Sequence, residues 1–573
     1  MKIKKLEIDN YRNLDKAVIF FEENCNFIVG ENNLGKSNLL SLFNILFNSR
    51  AFKSDDFKDI NRPIKIRISL KLAPVEIGHF SDLFDLDDYS LISITAKQDN
   101  VDDNLVFFHT ETNTYIQPSV VKCLNYIHYD SLRNPVSEIN FDKGRGVGRF
   151  LRNIVSQYLI NKSISDIDFL DDGRVTELLN FINNKISKIK SFCDFGIKAL
   201  SDDDVENVLS KIIVLKDAKG DSFLKTGYGV QFLILIMLSI LEKLQVIKMQ
   251  RGDRCIFENN GTKSISLITG LDEPEIHLHP YMQRSLIEYL NSIISNNNSE
   301  FKTLIKELFD IDEFIGQIIV VTHSPNILLN DYKQNIRFYS EKGMTKIISC
   351  SCLILDKQFH KHLQLNFPFF KEAFFSRCAI FVEGDSELAS FPLFAKKLHI
   401  NFDDLGICII QARGGAIRQL IDLAEKFGIP SVGVKDKDDG TDPPNLPNHY
   451  ETKQRDFEAE LISLIDAGKE NILRTILCDY DTKGVERTME TESLNKKAYS
   501  KYNIRNTQYT APLKLANIDP TRIDNLKAFY ITWFSVNKSY ALGLLIGRYL
   551  TADDIPDTYK TVIYKAKELA ADV

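Results

Sequence analysis

Gly30-Glu31-Asn32-Asn33-Leu34-Gly35-Lys36-Ser37 sets two glycines, a lysine and a hydroxyl in the order a phosphate-binding loop requires. Glycines let backbone N–H groups wrap phosphate oxygens, and a helix N-terminus adds positive potential. Lys36 is placed to reach the β- and γ-phosphates of a nucleotide, and Ser37 to hold Mg²⁺. Asp272 and Glu273 close an apolar run over 264–271; Asp272 is expected to bind Mg²⁺ through water and Glu273 to polarise the attacking water. His323, in Val-Val-Thr-His-Ser-Pro, ends the next apolar run and fits a γ-phosphate sensor. Gly227 and Gly229, in Thr-Gly-Tyr-Gly-Val-Gln, open a long apolar helix; they read either as a simple turn or as a loop that binds the phosphate of a nucleotide held by another subunit.

A second acidic group lies downstream. Glu383 follows an apolar run and Glu387 falls in the first turn of the helix after it. Some fifty residues on, Asp436 and Asp438 end another run; two residues apart on a strand, they share one face. In parallel α/β sheets the C-terminal strand edges gather ligand sites. Four carboxylates converging there repel one another unless cations neutralise them. Hard oxygen ligands suit Mg²⁺ or Mn²⁺, ions able to activate water and stabilise the leaving oxygen of a phosphodiester. The alternative is two unrelated solvated acidic turns.

The elements that must position these groups follow from periodicity. Residues 3–8 alternate as a strand, 24–29 form a second, and 37–47 carry a helical apolar pattern. Residues 64–72 and 91–97 read as strands of a β-rich lobe. From about 150 to 214 apolar residues recur at helix spacing, Leu151, Ile154, Val155 and Leu159, then Leu178, Leu179, Ile182 and Ile186. A helix over 279–296 separates strands 264–271 and 317–322. After a mixed stretch, strands 378–382, 406–411 and 431–435 alternate with helices 387–398 and 417–427, which predicts a parallel sheet. The end of the chain, 518–573, reads helical.

The 573 residues suggest two to four domains. A net charge of −7 excludes a globally basic DNA binder, so nucleic-acid contact must come from local basic patches or bound metal ions. The opening residues lack the apolar core of a signal peptide, and the longest apolar run, 230–241, suits a buried helix better than a membrane span. A cytoplasmic location is expected. Nine scattered cysteines without a C-x-x-C pair argue for buried thiols rather than disulfides or zinc; Cys350 and Cys352 are expected on one face of a strand.

Across residues 1–345, Asn-Tyr11-Arg12-Asn-Leu, GENNLGKSN, LDEPEIHLHP and VVTHSPNIL resemble the ABC ATPases of the SMC/RecF type, in which two heads sandwich two nucleotides. The resemblance adds Arg12, Gly30, Asn33, Gly35 and Asn38 to the nucleotide-binding set of Lys36, Ser37, Asp272 and His323, with Glu273 catalytic. The loop at Gly227 departs from the usual L-S-G-G-Q. Residues 370–573 resemble a Toprim domain, and the whole resembles the OLD (overcoming lysogenization defect) family, to which Gabija-type phage-defence nucleases belong. This implies an α/β, ABC-type ATPase domain over 1–150 and 216–345, a helical, dimerising insertion over 151–215, a connector over 346–369 and a Toprim nuclease domain over 370–573. It implies Glu383, Glu387, Asp436 and Asp438 as metal ligands or their neighbours, with Glu383 and Asp436 catalytic, Lys538 stabilising charge on the scissile phosphate, and a third acid between 479 and 492, Glu486 ahead of Asp481 and Glu490. Arg413-Gly414-Gly415 reads equally as a phosphate contact or a plain turn, and Arg145, Arg149 and Arg152 as a solvated face or, less readily, a DNA-facing one. The implied activity is ATP-regulated, metal-dependent DNA cleavage or nicking by a homo-oligomer, dimer or tetramer, with room for a helicase partner. The alternative is an SMC/RecF-like DNA-binding ATPase acting in repair without its own nuclease. Primer synthesis or strand passage ranks last, since none of the 21 tyrosines sits in a recognisable strand-passage module.

Overall fold

A computed structural model describes residues 1–81, 83–130, 147–151, 153–154, 172–189, 197–201, 213–217, 227–276, 278–412, 416–437, 447–505 and 507–571. The chain divides into two compact units, 1–338 with 345–352 and 339–344 with 353–573. Helices of two turns or more are numbered below.

The first unit opens with β1 (Lys2–Asp9), β2 (Ala17–Phe20), β3 (Cys25–Gly30), α1 (Lys36–Asn48), β4 (Ile64–Lys71), β5 (Leu91–Gln98), β6 (Val106–His109), β7 (Tyr115–Ile116) and β8 (Tyr126–Tyr129). It continues with α2 (Asp172–Ile186), β9 (Ile197–Ser201), β10 (Ile213–Asp217), α3 (Tyr228–Arg251), β11 (Ile256–Asn259) and β12 (Thr262–Asp272). Then come α4 (Pro280–Ile294), α5 (Ser299–Phe309), β13 (Glu313–Val321), β14 (Asn335–Glu341) and β15 (Met344–Ser349). The β-rich lobe is a sheet in the order β2-β1-β4-β5-β6-β7. The nucleotide-type sheet runs β11-β12-β13-β3-β14-β15, with β8 also on β12.

Every residue of β3 is buried, as expected of a central parallel strand covered on both faces. β3, β13 and β12 run parallel, with Ile28 opposite Val321 and Val321 opposite Asp272. Three functional segments therefore leave the sheet at one edge. α1 fastens to the sheet through Leu39, Leu42, Phe43, Leu46 and Phe47; a fully buried side chain of this kind contributes about 1.5–3 kcal/mol. α3 is the one helix among the described residues long and apolar enough to cross a membrane, and most of its length is buried inside this unit.

Three expectations change here. The stretch 150–214 is not helical throughout, because β9 and β10 pair as an antiparallel ribbon after α2. Cys123 and Cys255 form a disulfide, against the reading of thiols alone: the turns before β8 and β11 bring their Cα atoms to 5.0 Å across 132 residues of sequence. Cys350 and Cys352 lie in a short 3₁₀ turn rather than on a strand, the first buried and the second exposed.

The second unit contains α6 (Lys357–Phe370), β16 (Cys378–Val382), α7 (Asp385–Lys397), β17 (Ile407–Gln411), α8 (Ile417–Lys426), β18 (Ser431–Lys435) and β19 (His449–Glu451). α9 (Phe457–Asp466), α10 (Glu470–Tyr480), α11 (Ile523–Val536), α12 (Tyr540–Tyr549) and α13 (Asp557–Ala571) follow. Its sheet is fully parallel, ordered β17-β16-β18-β19. Gly433 on β18 lets α8 sit close, since a Cβ there would lie 2.5 Å from Ile417 Cγ2. The core gathers Phe391, Phe394, Phe457, Trp533 and Tyr559 around β16 and β18.

Candidate active sites

In the first unit the loop after β3 needs its glycines. Gly35 holds φ +91° at the N-terminus of α1, and a Cβ on it would strike the Asn13 side chain at 2.4 Å. Gly30 holds φ +124°, and a Cβ there would lie 1.9 Å from the Phe338 carbonyl oxygen. Asn33 takes a left-handed φ of 63°. The Lys36 ammonium donates to the Gly30 carbonyl at 2.8 Å and to that of Glu31. Burial lowers its pKa to about 8, against the opposing pull of Glu273, Glu31 and Asp272. Ser37 Oγ donates to Asp272 Oδ1 at 3.0 Å, and burial raises the Asp272 pKa to about 6. The serine and carboxylate are thus paired where a Mg²⁺ would need both.

Glu273 takes φ 45° and lies 3.3 Å from His323 Nε2; burial, then Lys36, holds the imidazole below its ordinary pKa. Glu275 accepts from the Thr322 hydroxyl at 2.8 Å and from the His323 N–H at 2.5 Å, so one carboxylate clips the β12 loop to the β13 loop. Arg12 pairs with Asp56 at 2.8 Å and donates to Asn38 Oδ1 at 2.7 Å, while Asn38 Nδ2 donates to Asn13 at 2.8 Å. Asp56 and Asn13 emerge as the supports of Arg12 and Asn38, and Glu275 as the support of Thr322 and His323. Gly227 caps α3 with open space around its Cα, and Gly229 lies in its first turn. Arg149 pairs with Glu242 on α3. Arg145, Arg152, Thr226 and most of 151–215 lie outside the described residues.

In the second unit, Glu383 and Asp436 leave adjacent parallel strands at one edge, and the Asp436 N–H donates to Glu383 Oε2 at 3.1 Å. Glu387 lies in the first turn of α7 and is 5% exposed. Gly384, just ahead, leaves it room: a Cβ there would sit 2.6 Å from Glu387 Oε2. Burial raises the Glu387 carboxyl well above the carboxylate range, Glu458 and Glu383 adding to it. Burial raises Asp436 likewise, Glu387 and Glu383 adding their repulsion. Such a set favours either protons or a divalent cation. The donors are all carboxylate oxygens, which fits Mg²⁺ or Mn²⁺.

Two further acids act on this centre: Glu458 adds to the repulsion on Glu387, and Asp456 to that on Asp436. Asp456 caps α9, accepting from the Ala459 N–H at 3.0 Å, and the neighbouring Phe457 N–H donates to Asp436 Oδ1 at 3.2 Å. Lys538, between α11 and α12, pairs with Glu458 and lies 3.7 Å from Asp456 Oδ2. Burial alone would lower the Lys538 pKa, but Glu458 and Asp456 hold it raised. Asp456 stays below its ordinary value in spite of burial, held by Lys538 and by the Tyr502 hydroxyl. Glu486 is instead 64% exposed and paired with Lys514, and Asp481 pairs with Arg487. Neither these two nor Glu490 is among the charges acting most strongly on Glu387 or Asp436. The readable signal was Asp456-Phe-Glu458 ahead of a helical apolar run, an acidic cap with a second acid in the first turn. Asp438 and Arg413–Gly415 lie outside the described residues.

Comparison with known proteins follows this division. The AAA ATPase domain family (AAA_15) matches residues 1–143 and 147–328, and the TOPRIM domain of overcoming lysogenization defect protein-like proteins matches 374–438. Endonuclease GajA of Bacillus cereus is 22% identical over 373 residues, which are 59% of this chain and 50% of GajA. The DNA replication and repair protein RecF of Oceanobacillus iheyensis is 40% identical over 60 residues, 10% of this chain and 16% of RecF. The C-terminal region of the Xanthomonas campestris OLD protein aligns over 35% of this chain and 96% of its own, at 20% identity and a TM-score of 0.24. The chain spans about half or less of the length of these two curated relatives.

Proposed function

This chain belongs to the AAA ATPase domain family and joins that domain to an OLD-like TOPRIM domain, and we propose that it is a divalent-metal-dependent DNA endonuclease, cutting or nicking, regulated by ATP in anti-phage defence. One observation carries the reading: Glu383, Glu387 and Asp436 meet at the C-terminal edge of a parallel sheet, two of them held toward the neutral form by burial and repulsion. GajA, named an endonuclease, supports it. Glu383, Glu387 and Asp436 would hold Mg²⁺ or Mn²⁺, with Asp438 a further candidate. Such an ion supplies Lewis acidity toward a phosphodiester and lowers the pKa of water. Lys538, kept protonated and aimed by Asp456 and Glu458, offers its ammonium to the charge that develops on the phosphate.

In the first unit, Lys36 and Ser37 would bind ATP and its Mg²⁺ with Asp272. Glu273 Oε1 would take the proton of the attacking water, and His323 Nε2 is close enough to share it. Arg12, Asn33 and Asn38 would shape the pocket, and Gly227 and Gly229 would complete the nucleotide site of a second copy. The protein would act in the cytoplasm as a homo-oligomer.

A second reading, a DNA-binding ATPase of repair without cleavage, draws on the RecF likeness. Supercoiled plasmid incubated with Mg²⁺ or Mn²⁺, with and without ATP, separates the two. The wild type is expected to nick or linearise the plasmid at an ATP-dependent rate, and Lys36→Ala to keep cutting without that response. Cutting indifferent to ATP in the wild type removes the regulatory half. Metal binding with no cut in any DNA favours the second reading.

A further inference from the structure

A cavity of about 430 Å³ in the second unit is lined by Lys437, Lys453, Arg455, Lys501 and Lys527, with Asp466 the one acid among its described lining residues. Five cations around one cavity, on a chain of net charge −7, make a concentrated positive field. Its place beside the acidic centre is written into the backbone. Lys437 directly follows Asp436, and Arg455 directly precedes Asp456. At each point the acid belongs to the centre and its neighbour to the cavity. Lys501 joins the two, lining the cavity while its ammonium lies 3.2 Å from Asp456 Oδ2.

The cavity also has an apolar side, formed by Ile462, Ile504 and Ile531. Cations on one side and aliphatic surface on the other suit a nucleotide, whose phosphate needs neutralising and whose sugar and base need an apolar seat. The volume lies within the range of small-ligand sites. Two of the cations are held only lightly: Lys453 pairs with Asp557 and Lys527 with Asp466, each at 2.6 Å, with Asp557 and Asp466 largely exposed. Exposed pairs of this kind open at little cost.

We propose that this cavity seats the DNA nucleotide adjoining the scissile phosphate, its own phosphate held by Lys437, Arg455 and Lys501 and the next phosphate by Lys453 and Lys527 once their pairs with Asp557 and Asp466 open. The assignment rests on the nuclease reading and states where the substrate strand runs. Asp436 and Asp456, each adjoining a cation of the cavity, stand between the bond to be broken and the nucleotide that registers it.

The test is the binding of a fluorescent single-stranded oligonucleotide by the full chain in a Glu383→Ala background, across a range of salt. Lys453→Glu with Lys527→Glu is expected to weaken binding at least tenfold and to reduce the slope of log affinity against log salt by about 1.4, about 0.7 per lost contact on a single strand. Should that variant melt early, Lys437→Ala, at an exposed side chain, is expected to cut the slope by about 0.7. Unchanged affinity and slope in a folded variant, while the wild type cuts DNA, overturns the cavity's role and leaves the nuclease reading standing. A wild type that binds through these lysines yet cuts nothing overturns the nuclease reading instead. Thymidine 5′-monophosphate binding as tightly as the oligonucleotide, and lost in the same variant, assigns the cavity to a free nucleotide and overturns the proposal.

Discussion

Asp456 serves both a helix and a lysine. Its side chain caps α9 through the Ala459 N–H, and its other oxygen lies near Lys538, Lys501 and Tyr502. Asparagine caps a helix as well as aspartate does, so Asp456→Asn isolates the charge. Cleavage is expected to fall about 10–100-fold, the usual range for a group supporting a metal site, with a lowered melting temperature because the partly buried charge on Lys538 and Lys501 loses a partner. Single-turnover cleavage beside a thermal melt checks this; full activity would remove Asp456 from the site. Glu387 and Asp436 carry a pH dependence. Each carboxyl is raised in the folded state, so its stabilisation is complete below the ordinary values of 4.5 and 3.8 and is lost as pH climbs toward the folded values. The metal-free protein is therefore expected to lose stability from about pH 4 upward across neutrality. Mn²⁺ held by the ionised pair would raise the melting temperature more at about pH 8.5 than at about pH 6. A larger shift at the lower pH would contradict the ligand assignment.

At the scale of elements, close helix packing places Glu387. A Cβ on Gly543 of α12 would lie 2.3 Å from the Ser386 carbonyl and 2.8 Å from Ala389 Cβ, so α7 must move to admit it. Gly543→Ala is expected to cost about 1–3 kcal/mol in denaturant unfolding and to weaken Mn²⁺ binding, because α7 carries Glu387. A variant as stable as the wild type would show that α7 is not held this way. The same scale shows what could be read without coordinates. The loop from Gly30 to Ser37, the pair Asp272–Glu273 and His323 lie within short contiguous motifs, so their shared edge follows once the strands are parallel. β9 and β10 were absorbed into a helical reading of 150–214. Ile197 and Ala199 are buried while Lys198 between them is exposed, a period-2 signal too short to stand out.

Across the molecule, what stayed illegible is what tertiary folding alone assembles. Asp456 and Glu458 reach the second centre because α9 starts beside the end of β18, a juxtaposition of segments 20 residues apart that no local pattern encodes. Glu486 lay in a region rich in acids but folds onto Lys514. Cys123 and Cys255 meet only through strand order. The family likeness named the two units and most of their acids, while burial and ion pairing decided which acids act together. The most direct test of the whole is plasmid cleavage in Mn²⁺ by wild type and Glu383→Ala, with Mn²⁺ binding measured on both. The wild type is expected to nick or linearise the plasmid, and Glu383→Ala to lose cleavage by at least about a hundredfold together with weakened Mn²⁺ binding. Cleavage undiminished in Glu383→Ala, or absent from a folded, Mn²⁺-bound wild type, would contradict the account.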